Sequence, residues 1–504
     1  MEKVHFFLER AAERDALKIA VITKNGHFSY KFLNDLSDCL AKELIQEYGV
    51  RPGDRITLLI PDKAFFLIAY YAILKAEATV IPIDHLLTNN EINYILNHSE
   101  SRFLLTENSI SIVNLLEEFQ YSKRNKIRLT TNEHDQPFSY YSLLSIRDSE
   151  PFSHTYANRF EQDAAVITYT SGTTGVPKGV IITHESILNK MNSLNEVLKV
   201  SSKDRILSEL SFVYIYGQIM VMNLSVWCGS TAILLDSKDT MELITSLENE
   251  QITIMLSIPT TYTSMNEYLS VNKMKLKSGL RYAVTGGSLI STRNKKEIEQ
   301  NLGVKLLDSY GLTETTASVI MENPEGERKS GSIGKALMGC TVQLWDEYKM
   351  ELSPGQIGEI VVKTTGMMGG YFKDNYIQST SFTDGWFHTG DLGYQDINGY
   401  FYIVDRRRDI IKTSGFVVSP REVEETLLNH PNVHETAVVG ILDEECGEVI
   451  KAFIKKKHNT EVTTDELQDY LSRHLASFKC PAIYKFVNRL PRNNSGKLLK
   501  ELLK

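Results

Sequence analysis

The chain has 504 residues, of which 42% are hydrophobic and 23% charged, with a formal net charge of -8. Its length exceeds what one hydrophobic core supports, so two or more domains are expected. The acid excess, free of long like-charge blocks, argues against nucleic acid as the main partner. Cys39, Cys228, Cys340, Cys446 and Cys480 show no metal-ligand spacing, and their odd number fits a reducing compartment without a disulfide framework. Residues 1–15 are charged throughout and lack the apolar core of a signal peptide. The longest apolar run, 64–74, is about half the roughly 20 residues that a membrane-spanning helix needs. A cytoplasmic location is the expectation.

Val4, Phe7, Leu8 and Ala11 recur at helical spacing and predict a helix over 3–12, followed by a short strand at 20–22. A second helix is predicted over 30–48, stopped by Gly49 and the turn Arg51-Pro52-Gly53-Asp54. Strand 55–60, helix 63–75 and strand 79–83 then give the rhythm of parallel α/β architecture. The stretch 74–84, L-K-A-E-A-T-V-I-P-I-D, carries no chemistry of its own in this reading, and 108–158 is weakly patterned periphery.

The stretch 169–180, Y-T-S-G-T-T-G-V-P-K-G-V, is the one around which the chain is organised. Gly172, Gly175 and Gly179 let the backbone turn tightly, Thr170, Ser171, Thr173 and Thr174 supply hydroxyl donors, and Lys178 supplies a cation. Such a loop suits a polyphosphate. It is not a Walker A loop, because Lys178 follows Pro177 and no Ser or Thr follows the lysine. Apolar runs at 164–167 and 180–182 read as strands entering and leaving it, and a helix follows His184. Further on come L-S-F-V-Y-I-Y-G (210–217), a predicted strand ending in Gly286-Gly287-Ser288, D-S-Y-G-L-T-E-T (308–315), D-G-W-F-H-T-G-D-L-G (384–393) and D-R-R-R-D-I-I-K-T-S-G-F (405–416). Phe212, Tyr214 and Tyr216 can also be read as core aromatics. A helix over 420–428, strands over 437–441 and 449–455, a helix over 464–475 and a strand near 484–487 make a small α+β unit, which ends in L-P-R-N-N-S-G-K (490–497).

These ordered signatures resemble those of the adenylate-forming superfamily of acyl-CoA synthetases, luciferases and nonribosomal peptide synthetase adenylation domains. The pattern is most similar to AMP-dependent acyl-CoA synthetases, and it covers about 33–497. The resemblance implies a large N-terminal domain of parallel and mixed α/β layers (1–404), a hinge (405–408) and a small mobile α+β C-terminal domain (409–504). It implies that ATP or AMP is bound by Thr170, Ser171, Gly172, Thr173, Thr174, Gly175, Gly287, Asp308, Ser309, Tyr310, Gly311, Thr313, Asp391 and Arg406. Tyr310 would stack on the adenine, Asp308 would accept from its amino group, and Asp391 would hold the ribose hydroxyls. Glu314 is the implied ligand of Mg²⁺, a hard cation suited to carboxylate oxygen.

Lys497, Lys178 and Thr313 are the implied catalytic residues, and Arg408 marks the hinge. Ser414, Gly415 and Phe416 would line a tunnel for the pantetheine thiol. Val213, Tyr214, Gly287 and Leu312 would form an acyl pocket, apolar with one phenol. Val213 stands where amino-acid-activating relatives keep an aspartate. A buried ammonium facing valine would be uncompensated, so an α-amino acid is disfavoured. Val417 stands where several acyl-CoA synthetases carry an arginine, and His388 is read as structural.

The expected activity is an ATP-dependent acid:thiol ligase with coenzyme A as co-substrate. The alternatives are an adenylating enzyme that loads the phosphopantetheine of a separate carrier protein, a luciferase-like oxygenase, and a non-catalytic ATP-binding relative.

Overall fold

The computed structural model describes residues 2–107, 126–129, 163–170, 177–236, 239–276, 278–443, 447–457, 460–493 and 496–504, with the backbone alone at 126–129, 375 and 376. Two large sheets form the N-terminal part. The nine-stranded sheet runs, edge to edge, through Lys335–Ala336, Ala317–Met321, Leu306–Leu312, Tyr282–Gly286, Ile254–Ser257, Arg205–Ser208, Thr231–Leu234, Ile19–Thr23 and Gly26–Ser29. Its six middle strands are parallel, from Leu306–Leu312 to Ile19–Thr23. The seven-stranded sheet contains Ala164–Thr170 and Lys178–Thr183 as an antiparallel hairpin, beside the parallel strands Thr79–Pro82, Arg55–Leu59 and Phe103–Glu107.

The central strands Thr231–Leu234, Ile254–Ser257, Tyr282–Gly286 and Thr79–Pro82 are buried along their whole length, as expected of parallel strands covered on both faces. The helix Lys63–Lys75 shows the same logic. Every one of its residues is buried, and it packs against strands of both sheets. A helix apolar on all sides has no solvent face to offer. Its terminal lysines bend to fixed partners: Lys63 donates to the Leu235 carbonyl, and Lys75 Nζ lies 2.5 Å from Asp38 and 2.7 Å from Asn34.

A third, antiparallel sheet is built from Cys340–Trp345, Gly358–Thr364, Trp386–Gln395, Phe382–Thr383 and Phe401–Arg406. The fourth starts at Ile411–Thr413 and holds the long hairpin Val433–Asp443/Gly447–Lys456, with its own core around Val418, Val423, Ile450 and Leu467. Arg293, on the helix Thr292–Leu302, donates to the Leu428 and Asn429 carbonyls of this last unit, and His434 pairs with Glu267 at 2.8 Å.

Helices predicted at 63–75 and 420–428 have those bounds in the structure. The predicted first helix instead spans Phe6–Arg14, and the helix begun at 464 ends at Ser472. Most of 108–158 lies outside the described residues.

Candidate active site

Of the predicted nucleotide residues, Gly287, Asp308, Ser309, Tyr310 and Gly311 lie toward the carboxyl ends of neighbouring parallel strands, where open α/β sheets leave a crevice. The strand Leu306–Leu312 carries Asp308, Ser309, Tyr310 and Gly311 directly beside Tyr282–Gly286, with Thr285 opposite Asp308 and Gly286 opposite Ser309. Gly311 permits the close crossing of the next strand, since a Cβ there would lie 2.0 Å from the Ala317 carbonyl oxygen. The turn containing Thr313 and Glu314 is closed by Thr315, whose hydroxyl donates to the Leu312 or Ala317 carbonyl and accepts from the Leu312 amide.

Two clusters flank this stretch. On one side Tyr310 donates to Asp391 Oδ2 at 2.7 Å, and Arg406 Nε stands 3.4 Å from Asp391 Oδ1. The pairing of Trp386–Gln395 with Phe401–Arg406 puts Asp391 and Arg406 in direct register. Burial raises the Asp391 carboxyl, against the opposing pull of Arg406 and the Tyr310 hydroxyl. Lys497 lies within electrostatic reach of Arg406, Asp391, Arg408 and Asp409, and its ammonium is pulled down to about 8, first by burial and then by Arg406. On the other side Tyr371 donates to Glu314 Oε1 at 2.9 Å, and Lys178 Nζ lies 6.0 Å from the Tyr371 ring centre. Tyr371 reaches this point because Gly370–Tyr371 pairs with the strand that begins at Lys178.

Thr170 and Lys178 face each other across the hairpin. Ser171, Gly172, Thr173, Thr174 and Gly175 lie outside the described residues. Two predicted contacts are already engaged within the protein. Asp308 Oδ2 is held at 2.5 Å by Lys295, which also binds Glu322. The phenol expected in the acyl pocket, Tyr214, gives its proton to Asp84 at 2.7 Å. Asp84 ends the stretch 74–84, so that stretch does have a place at the site. Val213 and Leu312 pack against the same apolar core, and Gly287 follows the strand Tyr282–Gly286. Phe212 is a core aromatic, edge-on to Phe66. His388 spends its ring nitrogens on Glu359 and Thr383, a structural role.

Ser414 and Gly415 form a hairpin turn with φ of 49° and 80°, and Phe416 stacks on Phe478. Arg408 pairs with Glu501 at 3.3 Å. Sequence reasoning missed Tyr371, although it sits in the G-G-Y-F-K-D run at 369–374, and missed Asp84; each acts across a tertiary contact.

Among the described residues no group of three or more His, Cys, Asp or Glu could hold a metal ion. The lone carboxylate of Glu314 fits Mg²⁺ that arrives with nucleotide phosphates and keeps most of its waters. No helix among the described residues is long and apolar enough to cross a membrane.

Residues 8–372 match the family model described as AMP-binding enzyme, and residues 422–497 match the AMP-binding enzyme C-terminal domain. The chain belongs to the AMP-binding enzyme family. Within it, the chain is 32% identical to the 2-succinylbenzoate–CoA ligase of Bacillus licheniformis, over 99% of this chain and 98% of the relative. It is 30% identical to the long-chain-fatty-acid–CoA ligase of Bacillus subtilis, over 94% and 89%. The solved o-succinylbenzoate coenzyme A synthetase of Bacillus subtilis, in complex with ATP and magnesium ion, superposes with a TM-score of 0.84 at 29% identity, over 99% of this chain and 98% of that one. These AMP-binding enzymes are acyl-CoA ligases, and their large α/β part with a small C-terminal part is the architecture described above.

Proposed function

We propose that the protein is an AMP-forming acid:thiol ligase that adenylates an aliphatic or aryl carboxylic acid and passes the acyl group to coenzyme A. The observation that carries this reading is the pairing of the buried Asp391 carboxylate with Arg406 and Tyr310, with Lys497 within electrostatic reach of both Asp391 and Arg406.

In the first half-reaction a substrate carboxylate oxygen bonds to the α-phosphorus of ATP, the bond from that phosphorus to the bridging oxygen breaks, and pyrophosphate leaves. The protein's contribution is positioning and charge neutralisation. Asp391 accepts from the ribose hydroxyls, Tyr310 offers a ring face to the adenine, and Lys178 and Lys497 neutralise phosphate and carboxylate charge. Mg²⁺ held through Glu314 would offset charge on the leaving phosphates. In the second half-reaction the thiol attacks the acyl carbon and AMP leaves. Ser414, Gly415 and Phe416 are assigned to the thiol's path, which requires the unit 409–504 to turn on the hinge 405–408. The division at 404 and 409 is supported by the third sheet ending at Arg406 and the fourth beginning at Ile411.

Val213 leaves no carboxylate at the position that an α-ammonium would need, so amino acids are excluded from the proposal. A carrier protein's phosphopantetheine is the second reading for the acceptor, because the same thiol chemistry serves both. The test is pyrophosphate release with ATP and a panel of aliphatic, aryl and amino acids, with and without coenzyme A. Turnover of a non-amino acid that coenzyme A accelerates is the expected outcome. Adenylation indifferent to coenzyme A would transfer the acceptor role to a carrier protein.

A further inference from the structure

Glu209 follows the strand Arg205–Ser208 and is only 5% exposed. Its Oε1 accepts from Ser257 Oγ at 2.5 Å and from Thr261 Oγ1 at 2.7 Å, while among the described residues no group bonds its Oε2. Ser257 ends the strand Ile254–Ser257, and Thr261 lies in the first turn of the helix Pro259–Val271. One carboxylate oxygen therefore grips both ends of the stretch 257–261. That helix has Ile258 at its N-cap, a residue with no side-chain acceptor, so its first turn lacks an ordinary cap. A negative charge beside it acts favourably on the helix dipole as well.

The residues between the two gripped hydroxyls meet the end of the chain. A Cβ placed on Gly496 would lie 2.7 Å from Ile258 Cδ1 and 3.4 Å from Thr260 Oγ1. Gly496, at φ of 84°, immediately precedes Lys497. Ile258 also stands next to Gly287, whose Cβ position is 3.9 Å from Ile258 Cγ2. The seat that receives Gly496 thus touches Gly287, assigned to the nucleotide and acyl group. Its backbone is fixed by a carboxylate from a neighbouring strand.

We propose that Glu209 is a positioning residue for adenylation: it locks the stretch 257–261 into the seat on which Gly496 docks and from which Lys497 reaches the reacting groups. The inference rests on the ligase reading for the role of Lys497, and on the contacts of Gly496 and Glu209 for the seat. A buried carboxylate with two short hydroxyl donors is a charge-assisted arrangement that holds geometry tightly. Glutamine can still accept both hydroxyl protons at one oxygen, whereas alanine can accept neither.

The test compares Glu209→Gln, Glu209→Ala and Thr261→Val in the full-length protein. Glu209→Ala should lower kcat for acid-dependent pyrophosphate exchange about 10–100-fold, with KM for acid and ATP within about threefold. Thioester formation from supplied acyl-adenylate should stay within about twofold of wild type. Glu209→Gln should keep adenylation within about threefold, and Thr261→Val, which removes one donor and leaves the carboxylate, should fall between them.

A second readout needs no turnover. Tryptic cleavage after Lys497, followed by mass spectrometry, should quicken at least about fivefold in Glu209→Ala and little in Glu209→Gln, because an undocked segment opens more often. Equal loss of both half-reactions, a glutamine variant as damaged as the alanine one, or unchanged tryptic cleavage would each overturn the proposal. If Glu209→Ala does not fold, Thr261→Val carries the same comparison. Wild-type protein that exchanges pyrophosphate with no acid would sink the ligase reading, and the tryptic comparison would still judge the seat.

Discussion

Tyr310 donates its phenolic proton to Oδ2 of Asp391 across 2.7 Å, joining two segments that are 81 residues apart in the chain. The carboxylate meets Arg406 from the other side. Asp391 is therefore held in one orientation before any nucleotide arrives. Tyr310→Phe should leave the ring in place and free the carboxylate, weakening AMP binding by the value of one hydrogen bond to a charged group, about 1.5–3 kcal/mol. Asp391→Asn should weaken it further. Calorimetric titration with AMP checks both, and unchanged affinity in Asp391→Asn would remove that residue from the ribose site.

Lys497 must be protonated to neutralise phosphate and carboxylate charge, and its ammonium is pulled down to about 8. The group loses its charge as pH rises through that value. The kcat/KM of adenylation, which reports the free enzyme, should accordingly fall on the alkaline side with an apparent pKa of about 8. Lys497→Ala should cost roughly 10²–10³-fold by analogy with loss of one oxyanion donor. An alanine variant retaining more than about a tenth of the rate would transfer the role elsewhere.

Gly415 tests the thiol path separately. Among the described residues a Cβ there would meet nothing within 4 Å, so a side chain costs chiefly a strained positive φ in an exposed turn. Gly415→Leu should spare adenylation and slow thioester formation. Parallel loss of both steps would assign the damage to the hairpin rather than to the thiol's path.

Lys190 is buried to 1% exposure and donates to the Ser318 carbonyl at 2.5 Å; burial lowers its ammonium from 10.5 to about 8. The folded state thus holds this proton less tightly than the unfolded state. The charged form opposes folding fully below about pH 8, and the cost fades as pH rises from there toward 10.5. The penalty is roughly 3 kcal/mol, from which a lost hydrogen bond of about 1–2 must be subtracted. Lys190→Met should raise the thermal midpoint of the N-terminal part at pH 7, and the gain should shrink by pH 10. A midpoint lowered equally at both values would contradict this.

Much was legible in the sequence because it was local. The apolar run 64–74 reads as part of a helix too short to span a membrane, the alternation of apolar strands with helices indicates parallel α/β architecture, and Asp391, Arg406 and Lys497 stand in motifs that the fold brings within electrostatic reach of one another. Tertiary structure decided which partners those residues meet. Tyr214 turns its hydroxyl to Asp84, 130 residues away, and Tyr371 reaches Glu314 because two short strands happen to be neighbours in one sheet. Lys295 occupies the Asp308 oxygen that a reading of the motif alone would leave for a ligand. Hydrophobic periodicity and turn chemistry act over a few residues and are written in the chain, whereas strand order, and with it the seat of Gly496 against Ile258, is a property of how whole layers pack.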